Sequence, residues 1–125
     1  MAGICLAAGL IVATLPLHSF TLAWTHSIEK IRWEEDYRIV DRRLVLEEAR
    51  IRGSGAGMEP PPDAVLKNGI WSYRPTLAPL GALRLSHSPY AAGYTLCSDG
   101  RCRPLAEILT GIADTETVVI APCSP

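Results

Sequence analysis

No charged side chain occurs before Glu29, and the chain has no surplus of either sign: 12 basic residues stand against 13 acidic ones, a net charge of −1. The balance removes the electrostatic footprint of a nucleic-acid binder, which needs a basic excess. Arg32, Arg38, Arg42, Arg43, Arg50 and Arg52 fall close together, but Glu34, Glu35, Asp36, Asp41, Glu47 and Glu48 are interleaved with them. That mixture reads as a solvated sheet face rather than a basic patch.

The uncharged start, Met1 to Leu17, lacks the marks of a targeting segment. No Lys or Arg supplies the positive n-region of a secretory signal. The apolar run stops short of the ~18–20 residues of a spanning helix and is broken by Gly9 and Pro16. It reads as a buried β-hairpin, Ile4 to Ala8 and Ile11 to Leu17, with a turn at Gly9. A signal or anchor remnant is the competing reading, so membrane association stays open.

Other absences narrow the chemistry. The glycine-rich stretch Gly53 to Met58 has no Gly-Lys-Ser/Thr ending and no strand-to-helix passage, so it is not a phosphate-cradling loop. No second cysteine pair matches the spacing of Cys97 and Cys102, which argues against zinc. No internal repeat is present. The expected cofactor and metal content is none.

What is present points to one β-rich domain over residues 1–125. A hydrophobic fraction of 48% is too high for disorder, and a chain this long buries roughly two-thirds of its unfolded surface. Phe20, Leu22, Trp24 and His26 alternate with Thr21, Ala23, Thr25 and Ser27, the period of a half-buried strand. Ile31, Trp33, Tyr37 and Ile39 continue the alternation from odd positions, which predicts a bulge or tight turn near Ile28 to Lys30. Leu44 to Ile51 reads as a strand paired back on Ile31 to Val40. Further strands are expected at Ala64 to Lys67, Ile70 to Arg74, Leu83 to His87, Tyr94 to Cys97 and Thr117 to Ile120. Asn68-Gly69 and Asp99-Gly100 are hairpin turns, and Pro104 to Gly111 is a short helix. The fold class is all-β: a small antiparallel sandwich or partly open barrel of about eight short strands, with one short helix near the C-terminus.

Cys97 and Cys102 face each other across the Asp99-Gly100 turn, within disulfide reach. An oxidised pair implies a periplasmic or extracellular setting; a reduced, half-buried pair is the alternative.

The densest reactive group is His26, Ser27, Glu29 and Lys30. Ser27 and Lys30 have the S-x-x-K spacing of serine acyl enzymes. That chemistry needs a helix to bring both groups to one face, and the surroundings are β, so a structural corner is the plainer reading. His26 shares the inward register of Leu22 and Trp24, which favours a hydrogen-bonded core histidine. The acidic run Glu34-Glu35-Asp36, with Glu48, cannot converge on a cation by itself, because adjacent strand residues point to opposite faces. Gly53, Ser54, Gly55, Gly57 and Met58, followed by three prolines, form the best candidate recognition loop. Arg50 and Arg52 beside the glycine amides make a candidate anion site. Trp33 joins these candidates, although a core role suits a tryptophan equally.

Four motifs carry a resemblance: F-T-L-x-W-x-H-S-I-E-K (Phe20 to Lys30), W-E-E-D-Y (Trp33 to Tyr37), E-A-R-I-x-G-S-G-A-G-M-x-P-P (Glu48 to Pro61) and L-C-x-x-G-x-C-x-x-L (Leu96 to Leu105). The chain resembles the bacterial domain of unknown function 1850 over roughly Ile4 to Leu109. The resemblance implies a small β-rich protein without assigned catalytic residues, often encoded beside TRAP transporters of the TAXI type. Longer relatives carry a membrane anchor ahead of a strand pair that matches Ile4 to Leu17. The expectation is a non-enzymatic accessory or binding module, partnered with TRAP transporter membrane or binding-protein components, periplasmic or at the inner membrane by the resemblance, with a cytoplasmic location the alternative if the chain carries no signal. A sandwich binding a small organic anion is the alternative, and a serine/lysine hydrolase the least favoured.

Overall fold

A computed structural model describes residues 3–25, 31–52, 61–86, 93–112 and 116–123. Eleven strands and one helical turn lie among them. In chain order these are β1 (Gly3–Ala8), β2 (Ile11–Leu15), β3 (Ser19–Thr25), β4 (Arg32–Val40), β5 (Arg43–Ile51), β6 (Val65–Lys67), β7 (Ile70–Tyr73), β8 (Leu83–Ser86), β9 (Thr95–Ser98), β10 (Arg101–Pro104), α1 (Leu105–Ile108) and β11 (Thr117–Cys123). They form two antiparallel sheets, β2-β1-β11-β8 and β10-β9-β3-β4-β5-β7-β6. The sheets stack as a sandwich, and no barrel closes among the described residues.

The uncharged start of the chain is a hairpin that supplies the edge strand β2 and the next strand β1 of the smaller sheet. Ala8 pairs with Ile11 across Gly9-Leu10, and Gly9 takes the left-handed position (φ 60°) that a type II′ turn requires. Ile4, Leu6 and Ala8 alternate inward and are buried, as are Val118 and Ile120 of β11 and Leu83 and Leu85 of β8. They meet Phe20, Leu22, Tyr37, Leu44 and Leu96 of the larger sheet. Each large apolar side chain buried here stabilises the fold by about 1.5–3 kcal/mol.

The pairing of β3 with β4 explains the change of parity. Phe20 lies opposite Tyr37, Leu22 opposite Glu35 and Trp24 opposite Trp33. Each pair joins an even position to an odd one, so this register by itself moves the inward residues from even to odd. The break expected at Ile28 to Lys30 lies outside the described residues. A bulge does occur between β4 and β5: Asp36 pairs with Glu48 but Tyr37 with Leu46, leaving Glu47 unmatched. The extra residue lets Leu44 and Leu46 face inward on one side of it and Ala49 and Ile51 on the other.

Three two-residue turns have positive φ at both central residues: Asp41-Arg42, Asn68-Gly69 and Asp99-Gly100. This is the type I′ signature whose twist matches the flanking strands. Asn-Gly and Asp-Gly announce such turns; Asp41-Arg42 does not. The strand β10 is also unannounced, because two arginines and a proline in four residues carry little strand propensity. The expected helix Pro104 to Gly111 is reduced to one turn that buries Leu105. A segment this short cannot sustain a helix by itself, and Gly111 turns left-handed (φ 89°) just beyond it.

Candidate functional site

The centre of the large sheet, β3-β4-β5-β7, presents two faces of opposite character. Thr21, Glu34, Asp36, Glu48 and Arg50 share the outer face through the cross-strand pairs Thr21–Asp36, Glu34–Arg50 and Asp36–Glu48. Arg50 donates from Nη1 to Asp36 Oδ2 at 2.6 Å and from Nη2 to Asp36 Oδ1 at 2.7 Å, and also from Nη1 to Glu48 Oε1 at 3.0 Å. Thr21 Oγ1 donates to Asp36 Oδ1 at 2.7 Å. Glu34 draws in Arg32, Arg50 and Arg52, each with its Nε at 3.6 Å. Three carboxylates and three guanidiniums therefore balance. The Arg50 hydrogen bonds, with Thr21 assisting, hold the Asp36 carboxyl below the usual carboxylate range despite partial burial.

This geometry bears on two sequence-derived candidates. Glu48 and Arg50 are brought together, but Arg50's guanidinium fork is occupied by Asp36 rather than open to an anion. Arg52 is less engaged: its side chain is half exposed and meets only the Glu34 carboxylate among the described residues. No three metal-ligating side chains converge among the described residues.

The inner face is aromatic. Trp33 lies here, on the side opposite Glu48 and Arg50. It stacks on Trp24 with ring centroids 5.9 Å apart, and Trp24 in turn meets Tyr94 at 5.4 Å. Trp71 and Tyr73 share this face through their pairing with Ile51 and Ala49. Among these rings sits a carboxyl, Glu35, flanked across the strands by buried Leu22 and Ala49. Burial raises its pKa, and the hydrogen bond it accepts among the described residues, from Tyr37 Oη to Oε1 at 2.8 Å, only partly offsets that. The pKa values of Tyr73 and Tyr94 are raised by burial and by the nearby Glu35 charge. The buried Trp33 Nε1–H has no acceptor among the described residues.

Of the other sequence candidates, His26, Ser27, Glu29 and Lys30 lie outside the described residues, as do Gly53, Ser54, Gly55, Gly57 and Met58. The inward core role expected of His26 falls there too. The described residues that border both segments are neighbours at one end of the large sheet. Thr25 pairs with Arg32, and the Arg52 N–H donates to Arg32 O at 3.0 Å. Trp24 and Trp33 stand at that same end.

Sequence reasoning did not single out Glu35 as the inward member of its acidic run, although the odd-position register of Trp33 and Tyr37 carries that signal. It also left Cys5 and Cys123 unassigned. All four cysteines are paired: Cys97 with Cys102 directly across the β9-β10 hairpin, and Cys5 with Cys123 across β1 and β11, with Cα–Cα distances of 4.0 and 5.8 Å. No sequence spacing announces the second pair, because 118 positions separate its members.

The family model described as "Domain of unknown function (DUF1850)" matches residues 20–105. That span takes in every strand of the seven-stranded sheet, and so both faces of the candidate site. No curated protein and no solved structure matches the chain.

Proposed function

We propose, from the premise that the chain belongs to the DUF1850 family, that it is a non-enzymatic binding or accessory module acting outside the cytoplasm beside a TAXI-type TRAP transport system. The observation that carries the extracytoplasmic reading is the pair of disulfides, Cys5–Cys123 and Cys97–Cys102, which together engage every cysteine of the chain. Structural disulfides persist in oxidising compartments and are rare in the cytosol. The transporter association rests on the family resemblance. The aromatic end of the large sheet supports a binding role, since Trp24, Trp33 and Tyr94 supply large, rigid contact area.

Two measurements test this reading. Rapid thiol trapping in intact cells should find all four cysteines protected until a reductant is added; free thiols would remove the extracytoplasmic placement. Affinity purification from solubilised membranes should recover TRAP membrane or binding-protein components. Their reproducible absence would end the transporter association.

One observation favours a second reading, a sandwich that binds a small organic anion. Arg52 is half exposed and held by Glu34 only at 3.6 Å, so its guanidinium is an accessible cation at this end of the outer face. Thermal-shift screening of small carboxylates tests this reading. A stabilising carboxylate whose effect disappears in Arg52→Ala but survives in Arg38→Ala supports it, and no stabilisation by any carboxylate dismisses it.

A further inference from the structure

We propose that the Cys97–Cys102 disulfide is a thiol–disulfide exchange site, opened reversibly by a dithiol reductant at Cys102, while Cys5–Cys123 stays closed. Exchange at this bond presupposes the oxidised resting state of the proposed function and adds a reaction to it.

The two bonds sit differently in the fold. Cys97 and Cys102 are direct cross-strand partners, one step from the Asp99-Gly100 turn. That turn already holds β9 and β10 in register, since both its residues have the positive φ of type I′ geometry. A bond between residues already held opposite removes little freedom from the unfolded chain. Cys5 and Cys123 are diagonal neighbours instead: Cys5 pairs with Ala121, and Cys123 with Gly3. Their bond ties β1 to β11 and closes nearly the whole chain. One bond staples the sandwich, and the other adds little to its stability.

Access separates them too. Cys102 is exposed, whereas Cys5, Cys97 and Cys123 are each partly covered. Every residue of β10 is exposed, so loosening this strand uncovers no core side chain. The chain is anchored again at once by Leu105, which is buried and donates its N–H to Tyr94 O at 3.0 Å. Exposed disulfides of this kind are the ones open to exchange.

The surroundings select the sulfur that is attacked. The nucleophile is a thiolate, and it approaches from the side away from the leaving sulfur. On the Cys97 side lies a cleft of about 260 Å³, whose described lining includes the carboxylates of Asp36, Glu47 and Asp99 and no basic residue. That lining disfavours an incoming anion. Cys102 stands instead between the exposed Arg101 and Arg103. The reductant's thiolate therefore bonds to Cys102 Sγ, the S–S bond breaks, and Cys97 leaves as a thiolate. The reductant's second thiol, deprotonated, then displaces Cys102 Sγ from the mixed disulfide. Two electrons pass to the cysteine pair, the two thiol protons of the reductant pass through solvent to Cys97 and Cys102, and the reductant leaves as a disulfide. The Asp99-Gly100 turn keeps both thiols opposite each other for reoxidation.

The test uses the purified, fully oxidised chain under native conditions. Limited dithiothreitol, followed by alkylation and peptide mapping, should label Cys97 and Cys102 completely before Cys5 or Cys123, while the chain keeps a cooperative thermal transition. With glutathione as a monothiol and a rapid acid quench, the mixed disulfide should map to Cys102. Withdrawing the reductant should restore the bond without covalent dimers. Simultaneous reduction of both pairs, reduction of Cys97–Cys102 only in denaturant, or glutathione on Cys97 would overturn the proposal. Because the protein is oxidised beforehand, these outcomes are distinct from the thiol trapping in cells that tests the compartment.

Discussion

Arg50 and Asp36 sit diagonally across β4 and β5, and both arms of the guanidinium engage the carboxylate, at 2.6 and 2.7 Å. Their direct cross-strand neighbours, Glu34 and Glu48, reinforce the contact from either side. A two-pronged pair of this kind has fixed geometry and lies at the upper end of what half-exposed ion pairs contribute.

A double-mutant cycle with Asp36→Asn and Arg50→Gln should give a coupling energy of about 1 kcal/mol by urea unfolding at neutral pH. The Asp36 pKa is depressed below the ordinary aspartate value of 3.8, chiefly by the hydrogen bonds from Arg50. Its contribution is therefore fully present above that value and is lost as pH falls through the lower, folded-state pKa. Wild type should lose stability in that acid window, and Asp36→Asn should lose less. Parallel acid titrations of the two would sink the assignment.

Glu35 titrates in the opposite sense. Its pKa is raised above the ordinary glutamate value of 4.5, chiefly by burial, so folding favours the protonated acid. Stability from this group is greatest below the unfolded pKa and declines as pH rises through the folded one. Glu35→Gln keeps an acceptor for Tyr37 Oη and removes the buried charge. It should therefore raise the neutral-pH unfolding midpoint and leave the acid midpoint nearly unchanged. Tyr37→Phe removes the donor and should lower the neutral-pH midpoint. If Glu35→Gln is destabilising at neutral pH, the ionised carboxylate has a partner in the fold and this account of the inner face fails.

Much of the sandwich was legible because its strands obey period two. Phe20, Leu22 and Trp24 mark an inward row, and Asn68-Gly69 and Asp99-Gly100 mark turns that the structure contains. The turn at Asp41-Arg42 read as a polar break between two paired strands, although its residues lack the glycine signal of its type. Two features escaped for identifiable reasons. The bulge at Glu47 lies inside a run, Glu47-Glu48, whose charge hides the change of phase. The Cys5–Cys123 bond depends on β1 and β11 becoming neighbours, which no local pattern discloses. At the candidate site, adjacent carboxylates were readable as pointing to opposite faces. Which one pointed inward was carried by the odd-position register of Trp33 and Tyr37 and is fixed by the Leu22–Glu35 pairing, whereas the occupation of Arg50 by Asp36 follows only from cross-strand geometry.

The two disulfides should differ in weight. Cys5–Cys123 links positions 118 apart, for which chain-entropy reasoning gives about 4.9 kcal/mol as an upper value. Cys97–Cys102 closes a separation of 5, for which the same relation gives about 2 kcal/mol. Denaturant unfolding of the Cys5→Ala/Cys123→Ala and Cys97→Ala/Cys102→Ala double variants should show the larger loss for the first. Equal losses would mean that β1 and β11 remain associated in the unfolded chain.

The β4-β5 turn offers a stabilising substitution. Asp41 and Arg42 both have positive φ, at 51° and 63°. Aspartate tolerates that region through local hydrogen bonding, whereas arginine's Cβ meets the following carbonyl, at a cost of about 1–2 kcal/mol. Glycine relieves the clash but gives back about 0.5–1 kcal/mol through the freedom it adds to the unfolded chain. Arg42 is exposed and makes no ion pair among the described residues, so no contact is lost. Arg42→Gly should therefore raise stability by about 0.5–1 kcal/mol, read as a higher urea midpoint at unchanged slope. Arg43→Gly, one residue on and inside the strand, should lower it. A drop in both variants would show that the turn is not under the strain its backbone angles imply.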